Sequence, residues 1–451
     1  LTARRPRILV SVPSARMIRA FLETRVFDGL AALDVDLVVV HGHPTLDAFF
    51  RGRANISELP YPAFERPTKL QAVARNFSSV PGMLFDRGGD GYIYVKNLWF
   101  GRRSWRQSLS ILASAVAFLI LFGLPFLGRL MRRWAYASAA ARDLLAQVAP
   151  DAVLLSCPVT PRERVLAQAA EAAGLPIITA TDGWDTLTIN EHWLRYAGVI
   201  VWGPTMREHA RRLGYRDEQI LQTGIPYADR LQSFAARVDR DAVRRKWRID
   251  PGERVVVLFI SSQAATGDIG PVTVKEFIDG VESGKLPPSK LIVRLPPRKV
   301  PAPDEQYYLD QYGNHPLVRV QVPGAGFQED ETVSPPPEIF AEVAEVFAIA
   351  DVVTSQLSMS LLEGALLGVE PLMLAYEDVD YPTRYVLRSS IARSLLGSGI
   401  RVVARSRDFA SVLAECYQAP RGAADLLRRW NEVESTSFQR VLEWAKIRLS
   451  L

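Results

Sequence analysis

The stretch 351–374, DVVTSQLSMSLLEGALLGVEPLML, places small hydroxyls and one carboxylate where an apolar strand gives way to a helix. Ser355, Ser358 and Ser360 fall at that junction, and Glu363 lies one turn further on. The free N–H groups and positive dipole end of a helix start favour a phosphate, and a carboxylate in the first turn can accept hydrogen bonds from ribose or sugar hydroxyls. The same spacing fits N-capping by Ser358, with Ser360 and Glu363 completing the turn; the residue types leave both readings open. A second group lies after the apolar run 176–181, where Thr-Asp-Gly-Trp-Asp brings Asp182 and Asp185 into one loop. A carboxylate there could take a proton from an acceptor hydroxyl, or Asp182 could stabilise its glycine-containing turn. In LIVRLPPRK, residues 291–299, Arg294 and Arg298 close another strand. They suit phosphate pairing, and equally fit two solvated arginines at a strand end. Ser261, Ser262 and Gln263 end the strand 255–260 and could touch the same ligand. Ser14, His41 and Trp184 are the candidates on the acceptor side.

These residues need rigid elements behind them. Short β-branched runs alternate with helical spacing along the chain. Strands are expected at 8–12, 36–40, 152–156, 176–181 and 199–202, with helices at 16–33, 161–173 and 205–213 and an irregular Pro/Gly-rich insertion at 41–98. Residues 108–148 read as helical with a break near Pro125. A second series follows a charged helix at 237–247. Its strands are expected at 255–260, 291–295, 318–322, 352–354 and 371–374, its helices at 271–282, 303–311, 337–349 and 359–367, and a helical stretch at 406–447. Strands separated by helices imply parallel βαβ units. With 451 residues, two domains are expected: 1–235 and 236–451, each an α/β, Rossmann-like, doubly wound sheet, the second with C-terminal helices. Neither carries GxGxxG, which argues against a dehydrogenase.

Three passages resemble known families. Residues 351–374 are similar to the donor-site motif of bacterial GT-B glycosyltransferases through Asp351, Ser358, Ser360, Glu363, Gly368 and Pro371. Residues 179–231 resemble surface-polysaccharide transferases related to the CDP-glycerol glycerophosphotransferases, through Gly183, Trp184, Asp185, Leu187, Thr188, Trp202, Gly203, Gly224, Pro226 and Asp229. Thr-Asp-Gly also resembles the acid-acid-Gly motif of some bacterial sialyltransferases, where the acid is the general base. Related sialyl- and Kdo-transferases have a His-Pro pair where this chain has Pro296-Pro297, a departure that puts a CMP-sugar donor in doubt. The resemblance implies a GT-B fold with two domains facing a cleft. It implies metal-independent transfer of a sugar from a nucleotide-sugar to a lipid- or glycan-linked acceptor, with no cofactor, in capsule, O-antigen or similar synthesis. The alternatives are a polyol-phosphate transferase, disfavoured by the missing histidines, a non-catalytic scaffold, and a UDP-sugar epimerase.

Composition adds a partner. The chain is 48% hydrophobic and 23% charged, and its two cysteines, Cys157 and Cys416, are far apart, so no disulfide framework or zinc cluster is indicated. Residues 1–150 hold 20 Lys/Arg against 10 Asp/Glu, while the remainder is mildly acidic. This asymmetry calls for an anionic partner; no nucleic-acid recognition motif accompanies it. The basic residues flank the apolar run 109–130 instead: Arg102, Arg103 and Arg106 before it, Arg129, Arg132 and Arg133 at and beyond its end, with Trp99, Trp105 and Trp134 nearby. As a helix its uncharged part would measure about 28 Å. It is read as inserted into a membrane surface, with buried or oligomer-interface packing and true spanning as the other readings. Residues 1–12 read as a basic lead into a strand rather than a secretory signal, and the expected location is the cytoplasmic face of the inner membrane, peripheral or monotopic.

Overall fold

The computed structural model describes residues 4–13, 24–41, 55–78, 116, 125–156, 160–181, 183–184, 186–189, 196–260, 269–296, 303–323, 338–379, 390–420, 422–431 and 444. The chain divides into two compact units: Leu1–Tyr227 with Glu331–Ser334 and Glu432–Leu451, and Ala228–Asp330 with Pro335–Asn431.

The first unit carries strands β1 (Arg7–Val12), β2 (Asp36–His41), β3 (Ile56–Pro60), β4 (Ala152–Leu155), β5 (Ile177–Ala180), β6 (Gly198–Val201) and β7 (Ile220–Gln222). Its helices are α1 (Arg25–Ala31), α2 (Lys69–Ser78), α3 (Pro125–Ala135), α4 (Ala139–Val148), α5 (Pro161–Ala172), α6 (Thr186–Ile189) and α7 (Pro204–Arg212). The strands form one parallel sheet in the order β3-β2-β1-β4-β5-β6-β7. A parallel sheet must be covered on both faces, and the two-residue period of the strands divides the apolar residues between them. Ile8, Val10 and Val12 pack with Phe27 and Leu30 of α1 on one face. Leu9, Val153 and Leu155 pack with Leu144 and Val148 of α4 and Leu166 of α5 on the other.

The second unit repeats the plan with β8 (Arg254–Phe259), β9 (Ser289–Arg294), β10 (Val318–Gln321), β11 (Val352–Ser355), β12 (Glu370–Leu374) and β13 (Arg401–Val403). Helices α8 (Ala228–Ala235), α9 (Arg240–Lys246), α10 (Gly270–Glu282), α11 (Pro303–Tyr312), α12 (Glu338–Ile349), α13 (Ser360–Leu366), α14 (Ser390–Leu396), α15 (Phe409–Gln418) and α16 (Gly422–Trp430) surround it. The sheet is parallel, in the order β10-β9-β8-β11-β12-β13. Val256 and Leu258 face Phe277 of α10 and Phe409 and Leu413 of α15. Val255 and Val257 face Val243 of α9 and Val346 and Ile349 of α12. Both units are therefore doubly wound α/β sheets, as the strand–helix alternation predicts.

The structure departs from the sequence reading in four places. The region 41–98 is not wholly irregular, because it contains β3 and α2. β3 is the outermost strand of its sheet and mostly exposed, so it lacks the apolar run that marks a doubly covered strand. The edge strands β7 and β13 escaped notice because each is three residues long. The unit boundary falls after Tyr227 rather than at 235/236: α8 belongs to the second unit, where the Gln232 amide donates to the Leu366 carbonyl at 3.3 Å. Near the chain end, Trp444 packs against the first unit's core, not the second's. Its indole donates to the Glu218 carbonyl at 2.9 Å. Its ring lies so close to Gly198 that a Cβ there would meet it at 2.4 Å.

The start of α4 carries a pH-dependent contact. The Ser138 hydroxyl accepts from the Ala141 N–H at 3.1 Å and donates to the Glu65 carboxylate at 2.5 Å. The same carboxylate accepts the Ala139 and Ala140 N–H groups at 2.8 and 3.1 Å. Led by the Ser138 bond, this arrangement lowers the Glu65 carboxyl to about 2. A depressed folded-state value gives stability that is complete above the ordinary carboxylate range and is lost as pH falls toward about 2. Glu65→Gln is therefore expected to flatten the acid side of the stability profile. Urea midpoints at about pH 7 and about pH 3 check this: equal losses in the parent and the variant would show that Glu65 contributes nothing.

Candidate functional site

In an open α/β sheet, ligands bind outside the carboxyl ends of the strands where the strand order reverses. In the second unit that point lies between β8 and β11. The strand registers bring Ser355, Phe259, Arg294 and Gln321 into one row across the carboxyl ends of β11, β8, β9 and β10. The Ser355 hydroxyl donates to the Phe259 carbonyl at 2.9 Å, tying the two strands that flank the reversal. Arg294 is buried; its guanidinium donates to the Gln321 side chain and approaches the Glu342 carboxylate of α12 at 3.8 Å. An acidic side chain thus already stands near its charge, and the bond to Gln321 links the ends of β9 and β10.

Beyond β11 the chain turns through residues 356–359 into α13. The Ser360 hydroxyl donates to Ser358 Oγ at 3.0 Å, which also receives the Ser360 N–H at 3.4 Å. Ser358 thus accepts within the turn and keeps its own O–H proton as a donor, while the N-cap position of α13 is Met359, which makes no side-chain cap bond. The Leu362 and Glu363 N–H groups both bond the Met359 carbonyl, at 2.9 and 3.0 Å. Glu363 is half-buried one turn into the helix. Gly364 on α13 lets the helix rest directly on β11: a Cβ there would lie 2.4 Å from Val353 Cγ1. Gly368, with φ of 78°, ends the helix in the left-handed conformation that glycine adopts without strain. The strand–turn–helix expected over 351–374 is therefore present, with its hydroxyls at the switch point. Ser261, Ser262, Gln263 and Arg298 lie outside the described residues.

The first unit has its own reversal between β1 and β4. Asp182 and Asp185 lie outside the described residues, but their flanks are fixed. The Thr181 N–H and hydroxyl both reach the Ile200 carbonyl, at 3.1 and 2.9 Å, and the buried Trp202 indole donates to the Thr181 carbonyl at 2.9 Å. The Gly183 N–H bonds Thr186 Oγ1 at 3.0 Å, and Trp184 is buried. The Trp-Gly strand end, read separately in the sequence, is thus hydrogen-bonded to Thr181, the last described residue before the Asp-Gly-Trp-Asp passage. His41, at the end of β2, is buried and lies 3.2 Å from the Glu58 carboxylate. Ser14 lies outside the described residues, as do Arg102, Arg103 and Arg106.

Sequence reasoning missed a polar cluster at this edge. Tyr61 and Ser11 share a hydrogen bond at 3.0 Å. The Arg162 guanidinium lies over the Tyr61 ring at 5.6 Å and donates to the Pro13 carbonyl at 3.2 Å. The fully buried Glu163 accepts from the Ser156 N–H at 2.8 Å and its hydroxyl at 3.3 Å. Burial, followed by the Glu163 charge, pushes the Tyr61 phenol up, so it stays protonated and able to donate. One signal was legible: Thr160-x-x-Glu163 has the spacing of a capping box. Thr160 does cap α5, but Glu163 reaches for Ser156, a contact only the fold creates.

Among the described residues, no group of three or more His, Cys, Asp or Glu is placed to hold a metal ion. Among them also, no helix is long and apolar enough to cross a membrane; most of 109–124 lies outside the described residues.

No protein-family model and no curated protein sequence matches the chain. Solved structures do. A glycosyltransferase from Rickettsia africae ESF-5 superposes with a TM-score of 0.53 at 9% identity, covering 99% of both chains. The UDP-GlcNAc 2-epimerase of Neisseria meningitidis, bound to UDP-GlcNAc, gives 0.54 at 11% identity over 99% of both. The S. aureus protein MnaA, in a co-structure with UDP, gives 0.56 at 11% identity, over 99% of this chain and 97% of that one. At such identities the likeness speaks for architecture, and that architecture is the GT-B fold.

Proposed function

We propose that the protein is a nucleotide-sugar-dependent glycosyltransferase that passes a sugar to a lipid- or glycan-linked acceptor in bacterial surface-polysaccharide synthesis. The observation that carries this reading is the position of Ser358, Ser360 and Glu363. They stand just beyond the carboxyl end of β11, at the reversal of the second sheet, where a nucleotide's phosphates and sugar would be received. The second unit would hold the donor, with Ser358 donating to a phosphate oxygen and Glu363 accepting from a hydroxyl. In the first unit Asp182 would take the acceptor proton, with Asp185 in the same loop and Tyr61 and Arg162 as polar contacts for the acceptor. No cofactor is invoked. The membrane-linked acceptor places the enzyme at the cytoplasmic face of the inner membrane.

The nucleotide is tested by calorimetry and melting temperature against UDP, GDP, CDP, CMP, dTDP and CDP-glycerol. A ligand that binds only the native state raises the midpoint logarithmically with the ratio of free ligand to Kd, by about 2.7 kcal/mol of stability at a hundredfold excess over Kd. One nucleotide is expected to stand out and to lose its effect in Glu363→Ala. A flat response across the panel would count against any donor site and favour a scaffold. CDP-glycerol alone standing out would favour polyol-phosphate transfer.

A second reading, UDP-sugar 2-epimerisation, is favoured by the structural likeness to UDP-GlcNAc 2-epimerases. Incubation with UDP-GlcNAc and no acceptor separates the two. An epimerase converts it to the 2-epimer, whereas a transferase leaves it intact until an acceptor is supplied.

A further inference from the structure

We infer that α2 and α3 form a two-helix platform by which the first unit docks on an anionic lipid bilayer. This deepens the membrane-side part of the proposed function and is independent of the nucleotide. The two helices are far apart in sequence and packed together in the fold. Ala74, Met131, Ala135 and Tyr136 meet between them. Gln71 donates to the Trp134 carbonyl at 3.0 Å and Arg75 to the Ala135 carbonyl at 2.7 Å, and the Arg75 guanidinium lies 5.2 Å from the Tyr136 ring centre.

With the inner faces satisfied, the outer ones carry an unusual surface. Seven large apolar side chains are exposed among the described residues, and four of them sit on this pair: Leu70 (61%), Val73, Leu130 (54%) and Trp134. A fifth, Val116, lies in the run that leads into α3. Leu70 and Val73 are one turn apart on α2, and Leu130 and Trp134 one turn apart on α3, so each helix shows an apolar stripe. Cations accompany them. Arg66, Lys69, Arg129 and Arg133 are exposed, and none has an acidic partner among the described residues. Over 66–134 the chain holds eleven Lys/Arg against two Asp/Glu. Unpaired cations beside exposed leucine and tryptophan match a surface that is negatively charged outside and apolar beneath. A neutral protein partner would leave those cations without a counter-charge.

The test is vesicle sedimentation of the full chain with phosphatidylcholine alone and with phosphatidylcholine containing phosphatidylglycerol. Binding is expected only to the anionic vesicles, and to weaken as salt is raised. Arg129→Glu/Arg133→Glu, and separately Leu70→Ser/Leu130→Ser, are expected to reduce it roughly tenfold or more. All four positions are exposed, so the melting temperature should hold, and any nucleotide response should be unchanged. Three results would overturn the inference: equal binding to both vesicle types, binding unaffected by either double variant, or a concentration-dependent dimer in sedimentation velocity that the variants abolish. The last would assign the platform to a second copy of the chain. If binding disappears only on polar substitution within 109–124, the apolar run is the anchor and the platform is not. Loss of vesicle binding with an intact nucleotide response, or the reverse, keeps this inference and the proposed activity separable.

Discussion

Asp182→Asn is expected to lower turnover by about 10²–10⁴-fold while leaving the nucleotide-induced rise in melting temperature in place. Asparagine keeps the size of the side chain and its capacity to stabilise a glycine-containing turn, and it removes the basicity. The substitution therefore separates the two roles that the Thr-Asp-Gly spacing allows. The described neighbours have hydrogen bonds of their own: Thr181 with the Ile200 carbonyl and the Trp202 indole, Gly183 with Thr186. An unchanged melting temperature in the variant separates a loss of activity from a collapse of the loop. The measurement is kcat and KM across pH for the parent, Asp182→Asn and Asp185→Asn. A proton acceptor lost from the transition state lowers kcat and kcat/KM together and removes the acidic limb of the profile. Unchanged turnover in Asp182→Asn with a collapse in Asp185→Asn would move the role to Asp185, and unchanged turnover in both would discard the loop as the source of the base.

The second large effect concerns the frame of the second unit. Glu370 opens β12 and Arg401 opens β13, and the two meet at 2.8 Å with side-chain exposures of 3% and 14%. Arg401 also donates to the Ala419 carbonyl at the end of α15. Its other acid, Glu415, is 3.9 Å away and largely exposed. Glu370→Ala would leave an enclosed guanidinium with the Ala419 carbonyl and only that distant acid, at a cost of about 3–5 kcal/mol. Glu370→Leu combined with Arg401→Met removes both charges, and most of the loss is expected to return, because a buried ion pair and an apolar pair of similar volume often have similar net stability. Urea unfolding of Glu370→Leu, Arg401→Met and the double variant closes the cycle. A loss below about 1 kcal/mol in Glu370→Ala would mean that solvent already screens the pair. β12 adjoins β11 in the sheet, so loosening this frame is also expected to weaken any nucleotide response.

Much of this architecture was legible from residue types. The central strands β1, β2, β4, β5, β8, β9 and β11 are covered on both faces, and such strands must be nearly continuous apolar runs. The strand–turn–helix over 351–374 was legible for a similar reason: an apolar run, hydroxyls, and a glycine with positive φ all lie within one short stretch. Strand β3 was not, because it is the outermost strand among the described residues and most of its side chains face solvent. The helix α2, lifted out of a passage rich in proline and glycine, takes its meaning from α3, and no local pattern pairs the two.

What the sequence determined by itself is whatever local burial and backbone geometry demand: two runs of βα units, their parallel sheets, and the hydroxyl-rich turn after β11. What the tertiary structure decided is adjacency. The reversal of strand order sets Ser355 against Phe259. The same kind of reversal gathers Ser11, Tyr61 and Arg162 at one edge. Long-range packing also joins α2 to α3 and returns Trp444 to Gly198. These contacts join residues tens to hundreds of positions apart, and they form only once the loop entropy of closing such distances is offset by burial of the apolar core. A pattern confined to neighbouring residues carries no record of them.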